Sequence, residues 1–301
     1  MEAIKTEALT KVYGTHQVLA GINLTIQQGQ IFTLLGENGA GKSTLIQILT
    51  TLARPSTGEA WIFGKRLSAD ADEIRQLISV TNQAVTLDEE FTGYQNLRLL
   101  AQLAEVDNYT QRIESVSERL NLGEFLHQKV GTYSGGMKRR LDIAASLLTD
   151  TPLLFLDEPT TGVDPKNRIE IWRVIEELRE EGKTIFLTTQ YLEEADHLSD
   201  TIAFLKNGKI SLQGTPTQLK QQAHESHQIS VTPDSAEKAR MILENQSILF
   251  KQDQQLFEVE KNDLQRVLKL FVEVDVAVLE ILPVQRSLEE IFLDATRKDA
   301  K

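Results

Sequence analysis

Apolar and polar positions alternate along much of this chain in two different periods. Stretches 3–10 and 19–27 carry β-branched and aliphatic residues on either side of the turn-like Tyr13-Gly14-Thr15-His16 and predict two strands. Residues 31–35 form a short apolar run that enters a glycine-rich turn, and a helical spacing of apolar residues follows over 42–52. A further strand is predicted at 59–63, after Pro55-Ser56-Thr57-Gly58. From about 92 to 150 the pattern is almost wholly helical. Strand and helix then alternate: 153–156, 165–181, 184–189, 192–198 and 201–205. Asn207-Gly208 joins the last of these strands to 209–212 and is a strong two-residue hairpin signal.

This pattern predicts an α/β sheet with a helical insert over residues 1–214. Gly214-Thr215-Pro216 marks a boundary. Beyond it the order is strand (228–232), helix (235–244), strand (248–251), strand (255–260), helix (262–272) and strand (276–282), with a closing helix at 287–298. That β-α-β-β-α-β order matches a small α+β, ferredoxin-like unit over 215–301.

Composition changes this picture little. At 301 residues the length fits about two domains of roughly 150 residues each. Hydrophobic residues at 41% and charged residues at 25% are ordinary globular values and exclude a disordered or fibrous chain. Lysine and arginine number 32 against 44 acidic residues, a net charge of −12, which argues against nucleic-acid binding by bulk charge. With no cysteine there is no disulfide scaffold, thiolate zinc site or cysteine nucleophile. The five histidines show no ligand-like spacing, and the helix residue His197 reads as a solvated surface position. No window approaches the ~18 apolar residues of a membrane span, and no signal peptide is visible. The chain is therefore expected to be soluble, with any membrane work depending on a partner.

The chemistry is carried by the turn at 36–43, G-E-N-G-A-G-K-S, which is G-x-x-x-x-G-K followed by serine, between a strand and a helix. Gly36, Gly39 and Gly41 let successive backbone N–H groups point inward at a polyphosphate, and the helix starting near Lys42 adds its positive end. Lys42 would reach the β- and γ-phosphates and the Ser43 hydroxyl would ligate Mg²⁺. The run Leu153-Leu154-Phe155-Leu156-Asp157 reads as a buried central strand ending in an acid, so Asp157 is expected to hold Mg²⁺ through a water. Glu158, one residue on, is placed to activate the attacking water. Tyr133-Ser134-Gly135-Gly136-Met137-Lys138-Arg139-Arg140-Leu141 follows the helical region. Here Ser134, Gly135 and Gly136 would open a helix with a second anion-binding terminus. The basic run 138–140 reads as a helix face turned to water or a partner.

Taken with both nucleotide motifs, this segment resembles the signature of the ATP-binding cassette (ABC) family over the first 214 residues. The resemblance implies a P-loop ABC ATPase core with an antiparallel β subdomain and a helical insert at about 92–150. It also implies ATP and Mg²⁺, and head-to-tail pairing of two copies around each ATP, the loop of one facing Ser134–Gly136 of the other. Asn38 lies in the matched loop and Thr44 directly follows it, and the resemblance implies that both bind the nucleotide. Tyr13 matches the aromatic that stacks on adenine, and Gln83 the glutamine that senses Mg²⁺ and γ-phosphate. Asp164 matches a residue of cross-dimer communication, although it also reads as a helix N-cap followed by proline. Two departures stand out: Tyr133 and Met137 replace the usual leucine and glutamine, and Gln190 replaces the γ-phosphate histidine. An amide donates a hydrogen bond there but carries no proton charge.

Those departures, with T-T-G-V-D-P from Thr160 and T-T-Q-Y-L-E-E-A-D from Thr188, look like the daunorubicin-resistance type of exporter ATPase. That implies a cytoplasmic ATPase, peripheral on the inner face of the membrane, driving a separate polytopic ABC-2 type subunit that expels drugs, antibiotics or lipid-like compounds. The competing class, a soluble ABC protein that remodels ribosomes or DNA, usually has two tandem cassettes, coiled-coil insertions or zinc cysteines. A GTPase or nucleotide kinase lacks the Ser-Gly-Gly segment.

Overall fold

The computed structural model describes residues 1–81, 87–222, 226–284 and 287–297. The chain divides into two compact units, Met1–Pro216 and Thr217–Lys301.

The first unit opens with β1 (Glu2–Tyr13) and β2 (His16–Gln27), an antiparallel pair. Next come β3 (Ile31–Leu35), α1 (Lys42–Leu49), β4 (Thr57–Ile62) and the short β5 (Lys65–Arg66). Strands β2-β1-β4-β5 make one four-stranded antiparallel sheet. After α2 (Ala71–Arg75) and β6 (Ile78–Thr81), the helical stretch supplies α3 (Gly93–Leu103), α4 (Tyr109–Arg119) and α5 (Gly135–Ser146). The remainder is β7 (Leu153–Asp157), α6 (Pro165–Glu180), β8 (Thr184–Thr189), α7 (Leu192–Leu198), β9 (Thr201–Lys206) and β10 (Lys209–Gly214). A six-stranded sheet runs β10-β9-β3-β8-β7-β6, parallel except for the β10 edge.

Strands β3, β7 and β8 are buried along their whole length, as strands covered on both faces must be. Their side chains alternate between two cores. Phe32, Phe155 and Phe186 face the antiparallel sheet and α1, with both Phe186 ring pairs at 5.4 Å. Ile31, Leu154, Leu156, Ile185 and Leu187 face the other way, toward Leu97, Ile113, Leu141, Trp172 and Ile175 of the helical layer. The carboxyl ends of the parallel strands thus emerge together between two packed layers, where ligands bind in open α/β sheets.

In the first unit two expectations are corrected and one helix had no signal. The helix after Lys42 stops at Leu49 rather than 52, because Thr50 Oγ1 bonds back to Ile46 O (2.8 Å) and Thr51 turns to φ 65°. The stretch 92–150 is less helical than its pattern: residues 120–134 hold turns and a 3₁₀ turn at Val130–Thr132, tied by a bridge between Thr92 and Lys129. The short α2 had no apolar period long enough to mark it.

α8 (Pro216–Gln222) precedes β11 (Ser226–Val231), α9 (Pro233–Asn245), β12 (Phe250–Asp253), β13 (Leu256–Glu260), α10 (Lys261–Glu273), β14 (Val278–Pro283) and α11 (Leu288–Arg297). The sheet order is β12-β13-β11-β14, antiparallel throughout. Ile229, Val231, Phe257 and Val259 of the sheet pack with Ala239 and Leu243 of α9 and Val267 and Phe271 of α10. Strand β12 begins two residues after its expected start because Ile248 is drawn into that core, its N–H bonded to Leu243 O (3.0 Å). Among the described residues no helix is long and apolar enough to cross a membrane.

Candidate nucleotide site

The loop between β3 and α1 is shaped by what its glycines lack. A Cβ on Gly36 would stand 2.6 Å from the Leu205 carbonyl oxygen of β9. At Gly41, φ is +109° and a Cβ would meet Leu19 Cδ2 at 2.9 Å and Val18 O at 3.0 Å. Only glycine threads this gap between β9 and β2. Asn38 and Gly39 are exposed on the crest, Ser43 is exposed at the start of α1 and Thr44 is half-buried. No side chain caps α1, so its first-turn N–H groups and positive helix end suit an anion.

Lys42 is 5% exposed; its Nζ donates to Gly36 O (2.7 Å) and Glu37 O (3.3 Å). Glu158 Oε1 lies 3.4 Å from the same ammonium, on a carboxylate 6% exposed. This buried ion pair joins the loop to the tip of β7. Asp157 ends β7 beside Thr188 of β8, whose hydroxyl donates to Asp157 Oδ1. Glu158 then leaves the strand at φ 49°, its N–H donating to Thr188 O (3.0 Å) and Oγ1 (3.1 Å), while Thr161 Oγ1 donates to Glu158 Oε2 (3.1 Å). Gln190 follows β8 directly and is exposed. Tyr13 closes β1 with about half its surface exposed and Lys11 Nζ 4.7 Å from its ring centroid.

A second cluster forms around the start of α5. Ser134 caps this helix, its Oγ accepting from Met137 N–H (3.3 Å). A Cβ on Gly136 would stand 3.1 Å from Asn167 Nδ2, so the bare helix turn lies close against α6. Asp164 caps α6, with Oδ1 accepting from Asn167 N–H (3.1 Å) and Oδ2 from Asn167 Nδ2, and Pro165 stands at the first helical position. The Asn167 bonds hold the Asp164 carboxyl below its usual range. Gln83 lies outside the described residues.

The sequence assigned no site role to several buried polar residues here. The basic run is not one exposed face. Arg139 is 4% exposed, and its guanidinium donates to Pro159 O (2.9 Å), Asp157 O (2.7 Å) and Asp142 Oδ2 (3.0 Å). Lys138 pairs with Glu89, and Arg140 lies over the Phe125 ring at 4.9 Å. Burial pushes the Asp142 carboxyl up to about 6, outweighing the pull of Arg139, and lowers the Arg139 value. Glu194 of α7, fully buried, accepts from Thr160 Oγ1 (2.8 Å) and Trp172 Nε1 (3.0 Å), and burial raises its pKa. Its position on the inward side of α7, with Ala195 and Leu198, was the one available hint. His197 is half exposed but stacks on Trp172 (centroids 4.7 Å apart) with Glu176 at 3.6 Å, so it is partly packed rather than simply solvated.

A glycine-lined loop, an uncapped helix start, a buried lysine and two strand-tip carboxylates define a P-loop nucleoside triphosphatase. The ABC transporter family pattern matches residues 19–161. The daunorubicin/doxorubicin resistance ATP-binding protein DrrA of Streptomyces peucetius is 43% identical over 220 residues, covering 72% of this chain and 67% of that one. The daunorubicin resistance ATP-binding protein DrrA3 of Streptomyces coeruleorubidus is 35% identical over 307 aligned positions, 99% of this chain and 97% of the relative. Among solved structures, a dimeric post-hydrolysis ATP-binding cassette, MJ0796 with ADP and Pi, superposes with a TM-score of 0.65 at 26% identity. It covers 71% of this chain and 98% of the other. The chain belongs to the ABC transporter family, as an ATP-binding subunit that hydrolyses ATP, and groups with the daunorubicin-resistance ATP-binding proteins.

Proposed function

We propose that this subunit powers a separate polytopic membrane subunit of ABC-2 type, exporting drugs, antibiotics or lipid-like compounds from a position on the inner face of the membrane. The names of its relatives support the cargo class: daunorubicin and doxorubicin resistance, and Nod factor export for a Rhizobium meliloti protein 40% identical over 221 residues. In this reading residues 1–214 are the nucleotide-binding domain, with 92–150 as its helical subdomain. Residues 215–301 are an accessory domain. Its sheet order β12-β13-β11-β14 and split β-α-β connections support a ferredoxin-like arrangement.

The observation that carries the site assignment is the Lys42–Glu158 pair, which brings the loop and the strand tip together in a buried place. Tyr13 stacks on adenine; Gly36, Asn38, Gly39, Gly41 and Thr44 cradle the phosphates; Lys42 takes the β- and γ-phosphate oxygens. Phosphate oxygens compete with Gly36 O and Glu158 Oε1 for the Lys42 ammonium, so nucleotide binding releases the Glu158 carboxylate. Glu158 then takes the proton of the water that attacks the γ-phosphorus as ADP leaves. Gln190 donates to the γ-phosphate, and Ser134, Gly135 and Gly136 of a second copy close over it, with Asp164 at the junction. The hard oxygen donors Ser43 and Asp157, with Gln83 as the expected sensor, suit Mg²⁺, which keeps several waters and binds few carboxylates. When bound, the cation supplies charge neutralisation across the phosphates.

Glu158→Gln tests this reading. The variant is expected to bind ATP, to lose steady-state turnover by at least 100-fold, and to accumulate as an ATP-bound dimer seen by size-exclusion chromatography. Captured from solubilised membranes, that trapped form should carry the polytopic subunit. Normal turnover would overturn the role of Glu158, and capture of the cassette alone would overturn the transport role.

A further inference from the structure

We infer that Arg139 is a positioning residue for hydrolysis: its guanidinium clamps the backbone on both sides of Glu158 and fixes the left-handed turn from which that carboxylate is presented. This deepens the reading of Glu158 given above and rests on it for its kinetic arm.

Glu158 has φ 49°, a region where a side-chain-bearing residue is strained and persists only when its surroundings hold it. On its N–H side the holding groups belong to β8, Thr188 O and Oγ1. The carbonyls that flank it, Asp157 O and Pro159 O, both accept from one guanidinium, at 2.7 Å from Nη2 and 2.9 Å from Nε. Those two donors lie on the same edge of a rigid planar fork. Asp157 O lies on the peptide before Glu158 and Pro159 O one peptide further on than the bond after it, so returning Glu158 to an ordinary conformation swings these two carbonyls apart and breaks at least one of the bonds. Asp142, one turn along α5, takes Nη1 at 3.0 Å and sets the plane of the fork. The whole arrangement is sealed from water, where such charge-assisted bonds are strongest.

The clamp also has a mechanical consequence. Arg139 sits in the first turns of the helix that Ser134 caps, so that helix and the Glu158 turn move as one body. Whatever docks on the Ser134–Gly136 terminus thereby bears on the geometry of the carboxylate in the same chain. A lysine at this position keeps the charge but reaches one carbonyl, and a methionine keeps only the stem.

The test uses the full chain with Arg139→Lys, Arg139→Met and, as reference, Glu158→Gln. Three quantities are measured: kcat and KM for ATP, thermal unfolding, and amide hydrogen exchange resolved over 157–162 and over α1. The expected result is a fall in kcat of order 100-fold for Arg139→Met and a smaller fall for Arg139→Lys. KM should change little, and exchange should quicken at 157–162 while α1 is unchanged. If Arg139→Met does not fold, Arg139→Lys carries the same three readouts. Unchanged kcat with unchanged exchange in a folded variant overturns the clamp. Equal losses in ATP affinity and kcat, with exchange quickened throughout, overturn it in favour of a general structural role. If Glu158→Gln is inactive while Arg139→Lys has full kcat and normal exchange, the clamp fails and the role of Glu158 stands. Should Glu158→Gln turn over normally, that role fails, and exchange at 157–162 still decides the clamp.

Discussion

Asp142 and Arg139 illustrate how much of this site is decided by individual buried charges. Asp142 is nearly sealed from water, and the cost of keeping its carboxylate ionised there outweighs the attraction of the guanidinium, so its pKa rises from 3.8 to about 6. A folded-state value above the unfolded one means that the folded chain takes up this proton first as pH falls. The stabilising contribution is therefore complete below about pH 3.8 and is lost as pH rises through 6. The stability of the natural chain relative to Asp142→Asn should rise by about 1 kcal/mol between pH 7 and pH 5. Urea unfolding of both proteins at the two pH values measures this; a difference that stays constant or moves the other way contradicts it. Lys42, Asp157 and Glu158 were legible in the sequence because their spacing in two motifs is itself the signal. Arg139 was not. Three consecutive basic residues look alike until the end of β7 is packed beside one of them, leaving Lys138 to Glu89 and Arg140 to the Phe125 ring.

At the scale of elements, the odd residue of the signature turn has a structural cause. Tyr133 is buried where the helical insert returns to α5, and its hydroxyl donates to Phe125 O while its ring meets Phe125 edge-on at 4.9 Å. The same oxygen would stand 2.5 Å from a Cβ on Gly93, so the start of α3 is fitted to this tyrosine. Tyr133→Phe should cost about 1 kcal/mol through loss of the buried hydroxyl's bond to Phe125 O, a carbonyl that keeps only the Gln128 N–H (2.9 Å). Gly93→Ala should cost more, because its methyl would also meet Leu126 O at 3.0 Å. In the double variant the two costs should sum to less than their parts, since the hydroxyl that meets the methyl is gone. Strict additivity in urea unfolding would contradict this fit. Elements with continuous apolar runs were readable to the residue, as the bounds of β3 and β8 show, and α7 has its expected bounds as well. The loops of 120–134 were not, since their turns are held by contacts far along the chain, such as Val130 N–H on Phe91 O and Gly131 N–H on Glu89 O.

For the whole molecule, period and the Gly214-Thr215-Pro216 punctuation were the readable signals, the alternation between two cores had none, and the net charge of −12 had little to say. The Ser134–Gly136 terminus opens α5 and the Lys42 loop opens α1, and the central proposal is that a second copy completes the site. Mixing two disabled chains tests it most directly: Lys42→Met, which spoils the loop, and Ser134→Arg, which spoils the helix terminus. Each alone should be inactive. In a mixed pair, the intact loop of one chain faces the intact terminus of the other, so ATP turnover should reappear on mixing. A mixture no more active than the two variants apart would contradict the account and place the complete site within a single chain.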